Sequence, residues 1–391
     1  MQIYILNPEY EFVGMIDEAE SVVWHKKYND AGEAEIYIPC THTHLELLQK
    51  NNYLYRYDDD MFCKIETVEI ETDVENGNYI IATAADICKI ISDRIVWDNF
   101  TFSGTVGEFI KKVLTDNVIN SNLQSRNIAN FTIDENSIDS ITDEITYTTK
   151  NEDILQLIIT TCKTYNCGFR VAYNTNTQLL VFRLYKGANK ATNQSDEYVE
   201  FSPQFANIIS SKYKQSASNH KNFAIVGAKD TDESIMYITV WGGVSEPQGE
   251  ARKEIYVDAT STSRDITVEE LLQIFPTATL AGSAYTINNA GEVISVATVN
   301  DDKVTVTDYT YQKMLEIIGF NALAERAETQ EFTGEVDTFN SYQYKNDYDL
   351  GDIVYALNEY DVGAPAQITE VWETEDNENG YQIEPTFEYI N

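Results

Sequence analysis

The run Tyr348-Asp349-Leu350-Gly351-Asp352-Ile353-Val354-Tyr355 is a glycine turn feeding an extended segment. Gly351 can take the positive φ that other residues reach only with strain. Residues 365–373 and 381–389 then read as a hairpin around the polar loop Asp376-Asn377-Glu378-Asn379-Gly380. Turn, strand, loop, strand and strand in close succession are β architecture, and they carry no chemistry.

The same signals continue outward from this stretch. Residues 1–92 alternate short apolar runs with turns. Ala34, Ile36 and Ile38 share one strand face, as do Val68 and Ile70, and Glu75-Asn76-Gly77-Asn78 marks a hairpin tip. Thr41 caps one short helix that turns Leu45, Leu47 and Leu48 inward. From about 93 to 200 the period becomes helical. Thr105-Val106-Gly107-Glu108 is a capping box, and Phe109, Ile110, Val113 and Leu114 lie on one face of the helix behind it. A second helix from about Glu152 buries Ile154, Leu155, Ile158 and Ile159. Residues 169–173 and 179–185 pair across Asn174-Thr175-Asn176-Thr177. Strands resume at 207–214, 222–227, 234–241 and 253–257. Thr267-Val268-Glu269-Glu270 is another capping box, with Pro276 ending its helix. A longer helix near 309–328 sets Met314, Leu315, Ile318, Ala322 and Leu323 on one stripe. The expected class is mainly β with α+β insertions.

Bulk properties narrow the functions. A chain of 391 residues exceeds what one core supports, so two or more domains are expected. Its 26 Tyr and 16 Phe fit a β-rich protein better than a helical bundle. The 27 basic residues against 64 acidic ones give a net charge of −37, which argues against nucleic-acid binding because phosphate attraction needs a basic surface. No apolar run approaches the roughly 20 residues of a membrane helix, and residues 1–6 are too short for a signal sequence. Five cysteines at irregular spacing (Cys40, Cys63, Cys88, Cys162 and Cys167) point to thiols in a reducing compartment rather than a disulfide framework.

Catalytic patterns are missing from this composition. There is no H-E-x-x-H, G-x-S-x-G, P-loop or G-x-G-x-x-G. With 64 carboxylates, any acid pair is expected by chance. His42 and His44 diverge if a helix starts at Thr41, His25 and His220 stand apart from them, and Cys162 and Cys167 lack a second pair to complete a zinc site. The acidic loops 58–60 and 376–380 miss the EF-hand spacing and read as solvated. No catalytic, cofactor-binding or metal-ligating residue is assigned. The tryptophans Trp24, Trp97, Trp241 and Trp372 are taken as core or interface residues.

In order and spacing the chain resembles the tail-hub, or baseplate-hub, proteins of tailed bacteriophages. The N-terminal matches are Met1-Gln2-Ile3-Tyr4-Ile5-Leu6-Asn7, Gly14-Met15-Ile16-Asp17, Ser21-Val22-Val23-Trp24 with Lys26-Lys27-Tyr28, and Ala31-Gly32-Glu33-Ala34-Glu35-Ile36-Tyr37-Ile38-Pro39. Asn52-Tyr53-Leu54-Tyr55-Arg56 with Asp58-Asp59-Asp60, Arg94-Ile95-Val96-Trp97, Ser103-Gly104-Thr105-Val106 and the C-terminal glycine turn continue the likeness. It covers nearly the whole chain except about residues 259–308. The resemblance implies a homotrimeric ring in which each subunit gives two tail-tube-type β-barrels, so that six barrels meet a six-fold tube and the three-fold side holds the tip. On that plan residues 1–92 form the first barrel and 93–200 an α+β insertion. Residues 201–258 give strands of the second barrel, 259–327 an inserted helical and β segment, and 328–391 the strands that complete the barrels.

The implied function is structural: to end the tail tube, match symmetries and form part of the DNA-ejection channel. Implied partners are the distal tail or tail-tube protein, the tape-measure protein and the tip, spike or receptor-binding proteins, with DNA passing through unbound. The implied location is the virion tail tip, after assembly in the host cytoplasm. Longer relatives carry a peptidase or lysozyme domain after the hub, which a chain of 391 residues does not reach. An acidic chain suits a channel wall that must not hold phosphate, and Asp58, Asp59, Asp60, Asp347, Asp349 and Asp352 are candidates for it. The rival readings are a cell-wall hydrolase, which requires a cleft with convergent carboxylates, and a host-glycan-binding module, which requires an exposed aromatic groove.

Overall fold

The computed structural model describes residues 1–73, 77–98, 100–149, 151–191, 198–275, 277–289, 292–300, 303–336, 342–360 and 362–390. The chain divides into two compact units, Met1–Tyr213 with Glu331–Asn391, and Lys214–Gln330.

The first unit begins with seven strands: β1 (Ile3–Leu6), β2 (Phe12–Ile16), β3 (Ser21–Lys27), β4 (Glu33–Pro39), β5 (Tyr53–Tyr55), β6 (Phe62–Asp73) and β7 (Gly77–Asp86). They pair in the order β3-β4-β7-β6-β5-β1-β2. Period-2 alternation sends Ala34, Ile36 and Ile38 of β4 to one side, where they meet Trp24, Ile65, Ile80 and Ala82 in a sealed apolar core. A bulge between Ile65 and Thr67 breaks the register of β6, beyond which Val68 still packs on the margin of this core and the rest of the strand is exposed. Val68 is therefore only half-buried and Ile70 is 51% exposed. The expected hairpin tip falls partly on Glu75 and Asn76, which lie outside the described residues.

The C-terminal hairpin explains how the sheets join. The strand Gly363–Asp376 runs for 14 residues and pairs along one edge with the strand Gly380–Tyr389. Its other edge is long enough for two short partners: residues 363–367 pair with the strand Ile353–Leu357, and residues 370–376 pair with β3. A bulge between Ile368 and Glu370 separates the two halves. The strand contributes Ala366, Ile368 and Val371 to a second core with Phe201, Phe332, Tyr348, Val354 and Phe387. Gly351 sits at φ +86°, and a Cβ there would come 2.2 Å from the Tyr28 ring, so the turn admits only glycine.

Two closed barrels are not what these ladders make. They run as one open path from β2 to the strand Ile208–Ser216, and among the described residues no ladder closes it into a ring. Closure of that path would need its end strands, β2 and Ile208–Ser216, to pair, and among the described residues they do not. The mainly β class with α+β insertions holds.

The described residues between 87 and 191 form the α+β insertion of the first unit. Thr105 and Glu108 complete the expected capping box, and the helix Val106–Leu114 buries Val106, Phe109, Ile110, Val113 and Leu114. Asp153 caps the helix Ile154–Thr164. The hairpin Gly168–Asn174 and Leu179–Tyr185 adds a parallel third strand, Phe131–Ile133. Phe109, Ile158, Phe169 and Phe182 fill its core.

In the unit Lys214–Gln330, the strands Phe223–Lys229, Ile235–Trp241 and Glu254–Asp258 form a sheet against the helix Asp308–Ala324. Gly319 lets this helix approach closely, since a Cβ there would meet Val240 at 2.8 Å. Leu315 and Leu323 of the expected stripe are buried, with Tyr311 beside them. The capping box at Thr267 is formed, while Pro276 lies outside the described residues. Five short strands between Asp265 and Val306 make a second sheet. The partition read from sequence gives the strands of 222–257 to a second barrel. In the structure their hydrogen bonds and their buried Ala224, Val226 and Ala228 are satisfied inside this unit.

Candidate functional site: an ionic core where two sheets meet

Where β3 meets the strand Gly363–Asp376, the buried side chains are charged. Lys26 Nζ lies 2.5 Å from Asp59 Oδ2 and 2.5 Å from Glu373 Oε1, and all three side chains are at most 2% exposed. Arg56 Nη2 lies 3.0 Å from Glu373 Oε2, and Arg56 also grips Asp58 with Nε at 3.0 Å and Nη2 at 2.6 Å. Such a fork-to-carboxylate pair fixes orientation as well as charge. Lys345 reaches in from residues 342–348 and donates to Asp59 Oδ2 at 2.6 Å. The Tyr381 hydroxyl donates to Glu373 Oε2 at 2.6 Å, and the Met61 N–H donates to Asp59 Oδ1 at 2.7 Å. Three cations thus face three carboxylates.

The electrostatics follow from that balance. Burial pushes the Asp59 carboxyl up, but Lys26 and Lys345 outweigh it and hold it far below the usual carboxylate range. For Glu373 burial likewise opposes, and Lys26 with Arg56 wins, so its carboxyl is also lowered. Desolvating such ions is costly, and only the complete set offsets the cost. Beside the cluster is a cavity of about 370 Å³ lined by Tyr342, Tyr344, Lys345, Tyr348 and Tyr381.

Neighbouring groups extend the seam. His25 is 2% exposed and stacks on Trp372 with ring centroids 3.5 Å apart. Its Nδ1 lies 3.3 Å from Glu33 and its Nε2 lies 3.0 Å from Glu370. Arg170 of the insertion lies 2.5 Å from Asp60. Asp352 pairs with Lys190 at 3.0 Å and accepts the Ala188 and Asp349 N–H groups.

The acidic turns taken as candidates for a channel wall are engaged within the chain. Asp59 and Asp352 are buried, Asp58 and Asp60 are held by arginines, and Asp347 and Asp349 accept the N–H groups of Gln343 and Leu350. In the loop 376–380, Asp376 accepts the N–H groups of Glu378 and Asn379, so the acid caps its own turn. Cys162 and Cys167 are buried thiols, and among the described residues no His, Cys, Asp or Glu group is placed to hold a metal ion. No helix of the described residues is long and apolar enough to cross a membrane. Sequence reasoning missed Lys26, Arg56, Lys345 and Glu373 as one site. The available signal was Lys26 and Glu373 standing inside strands of otherwise apolar and polar alternation.

A family profile described as Siphovirus ReqiPepy6 Gp37-like protein matches residues 2–387. The chain belongs to that family. The same architecture recurs in the tail protein of Neisseria meningitidis MC58, at 10% identity and a TM-score of 0.54 over 99% of this chain and 95% of that one. It recurs also in the 43 kDa tail protein of prophage MuSo2 from Shewanella oneidensis, at 8% identity and a TM-score of 0.53 over 99% and 98%. At such identities the likeness is one of fold. None of the curated proteins compared with the chain matches it. The Gp37-like chain thus has the fold of phage tail proteins, as its sequence resemblance implies.

Proposed function

We propose that this Gp37-like chain is the hub that ends the tail tube, working as a homotrimeric ring that adapts a six-fold tube to a three-fold tip. The observation that carries the proposal is the shared strand Gly363–Asp376, which ties two β bodies of one chain together over an ionic core. Three copies then present six such bodies to the tube. The family match and the tail-protein fold support the same reading. Its partners are the tail-tube or distal tail protein, the tape-measure protein and the tip proteins, and DNA passes without specific binding. The role is mechanical rather than hydrolytic.

Mass measurement and negative-stain imaging in moderate salt, where repulsion between acidic copies is screened, test this. Three-fold rings are the expected outcome. A chain that stays monomeric at high concentration, with or without its tube partner, overturns the proposal. Incubation with peptidoglycan should release no muropeptides, and release that vanishes on changing one carboxylate overturns the mechanical reading.

A further inference from the structure

Trp97 is 52% exposed, although the chain around it is held as firmly as a core segment. The Trp97 N–H donates to Asn117 Oδ1 at 2.9 Å, and Asn117 Nδ2 in turn donates to the Val113 carbonyl at 2.9 Å. Asn117 is itself only 2% exposed. Asn151 donates to the carbonyls of Val96 and Trp97, and Arg126 donates to that of Ile95. Asn117 stands where the helix Val106–Leu114 widens into the π-helical turn Thr115–Ile119, a local irregularity that recurs at functional sites. An indole presented on so fixed a backbone, with more than half its surface in water, gains little for the fold. That arrangement suits recognition.

The indole forms one wall of a cavity of about 250 Å³. Asp98, Asp116, Asn120 and Asn122 stand around it with Phe100 and Lys112. Lys112 is paired with Asp116 at 2.7 Å, and the Arg126 guanidinium lies 5.5 Å from the Trp97 ring centroid within electrostatic reach of Asp98, so the charges around the site balance. With no net charge to attract an ion of either sign, the site suits a neutral ligand. An aromatic face for C–H groups, with a carboxylate and planar amides for hydroxyls, is the complement of a sugar ring. A second aromatic cavity, lined by Tyr4, Tyr10, Phe12, Tyr55, Tyr57 and Tyr173, is less suited, because its rings already pack on one another.

We propose that the Trp97 cavity is a binding site for a neutral pyranose unit of a surface polysaccharide. The proposal rests on this site alone and does not require a ring of subunits. The test uses the full chain, titrated with glucose, galactose, N-acetylglucosamine and, separately, inorganic phosphate, followed by tryptophan fluorescence and ligand-observed NMR. At least one neutral pyranose should saturate, and Trp97→Ala should weaken it by about tenfold or more, the size of one lost aromatic platform. Asn120→Ala, at an exposed position, should weaken it without altering the circular dichroism spectrum. Failure of all three sugars to saturate, or binding that persists in Trp97→Ala, overturns the assignment. So does phosphate binding that is lost in Lys112→Ala and kept in Trp97→Ala.

Discussion

Two regions of the first unit are equally sealed from water by opposite means. In the body β1–β7 the buried groups are hydrocarbon and indole, with Trp24, Ile36, Ile38, Ile65 and Ile80 fully covered. At its junction with the C-terminal hairpin they are ions: Lys26, Arg56, Asp59 and Glu373. Apolar burial is non-directional and tolerates exchange among residues of similar volume. A buried ionic set is directional and holds only when complete. The junction therefore specifies register. A two-residue slip of the strand Gly363–Asp376 along β3 would keep every side chain on its face, yet it would carry Glu373 away from Lys26 and Arg56.

Removing one ion gives the largest effect. Lys26→Met leaves Asp59 and Glu373 short of a cation and should cost about 3–5 kcal/mol in urea unfolding, while Ile36→Val in the neighbouring core should cost about 0.5–1.5 kcal/mol. Equal, small losses for both would erase the distinction between the two regions.

Titration separates them next. Asp59 and Glu373 have folded pKa values below their unfolded ones of ~3.9 and ~4.3, so their contribution is present above that range and is lost as pH falls through the folded values. Asp86, buried at the end of β7, has the opposite sign. Burial raises its carboxyl to about 6, so its contribution is full below pH ~4 and is lost as pH rises through about 6. Asp86→Asn should accordingly raise stability by ~1–3 kcal/mol at pH 8 and change little at pH 4. A gain at pH 4 as large as that at pH 8 would mean that something other than the proton on Asp86 controls the site.

The smallest effect sharpens the contrast from outside. Lys111 and Glu135 are 2.5 Å apart but 42% and 60% exposed, so water and salt screen them. Lys111→Ala should leave the unfolding midpoint within error, and a shift rivalling that of Lys26→Met would show that proximity rather than burial sets the strength of these pairs.

Much of the local structure was legible in the sequence because its causes are local. The capping boxes at Thr105 and Thr267, the positive φ at Gly351 and the alternation of Ala34, Ile36 and Ile38 depend on residues a few positions apart. The resemblance to phage tail proteins lay in the same short runs, and the family match over residues 2–387 agrees with it. Tertiary structure alone decided which acids meet which bases. Lys26 and Glu373 are 347 positions apart, and no period or spacing joins them until one 14-residue strand lends the same edge to β3 and to Ile353–Leu357. Composition counts 64 acidic side chains as one negative charge field. Only their placement turns Asp59 and Asp352 into buried partners of Lys26 and Lys190, because Coulomb attraction strengthens only where folding has excluded the water that would screen it.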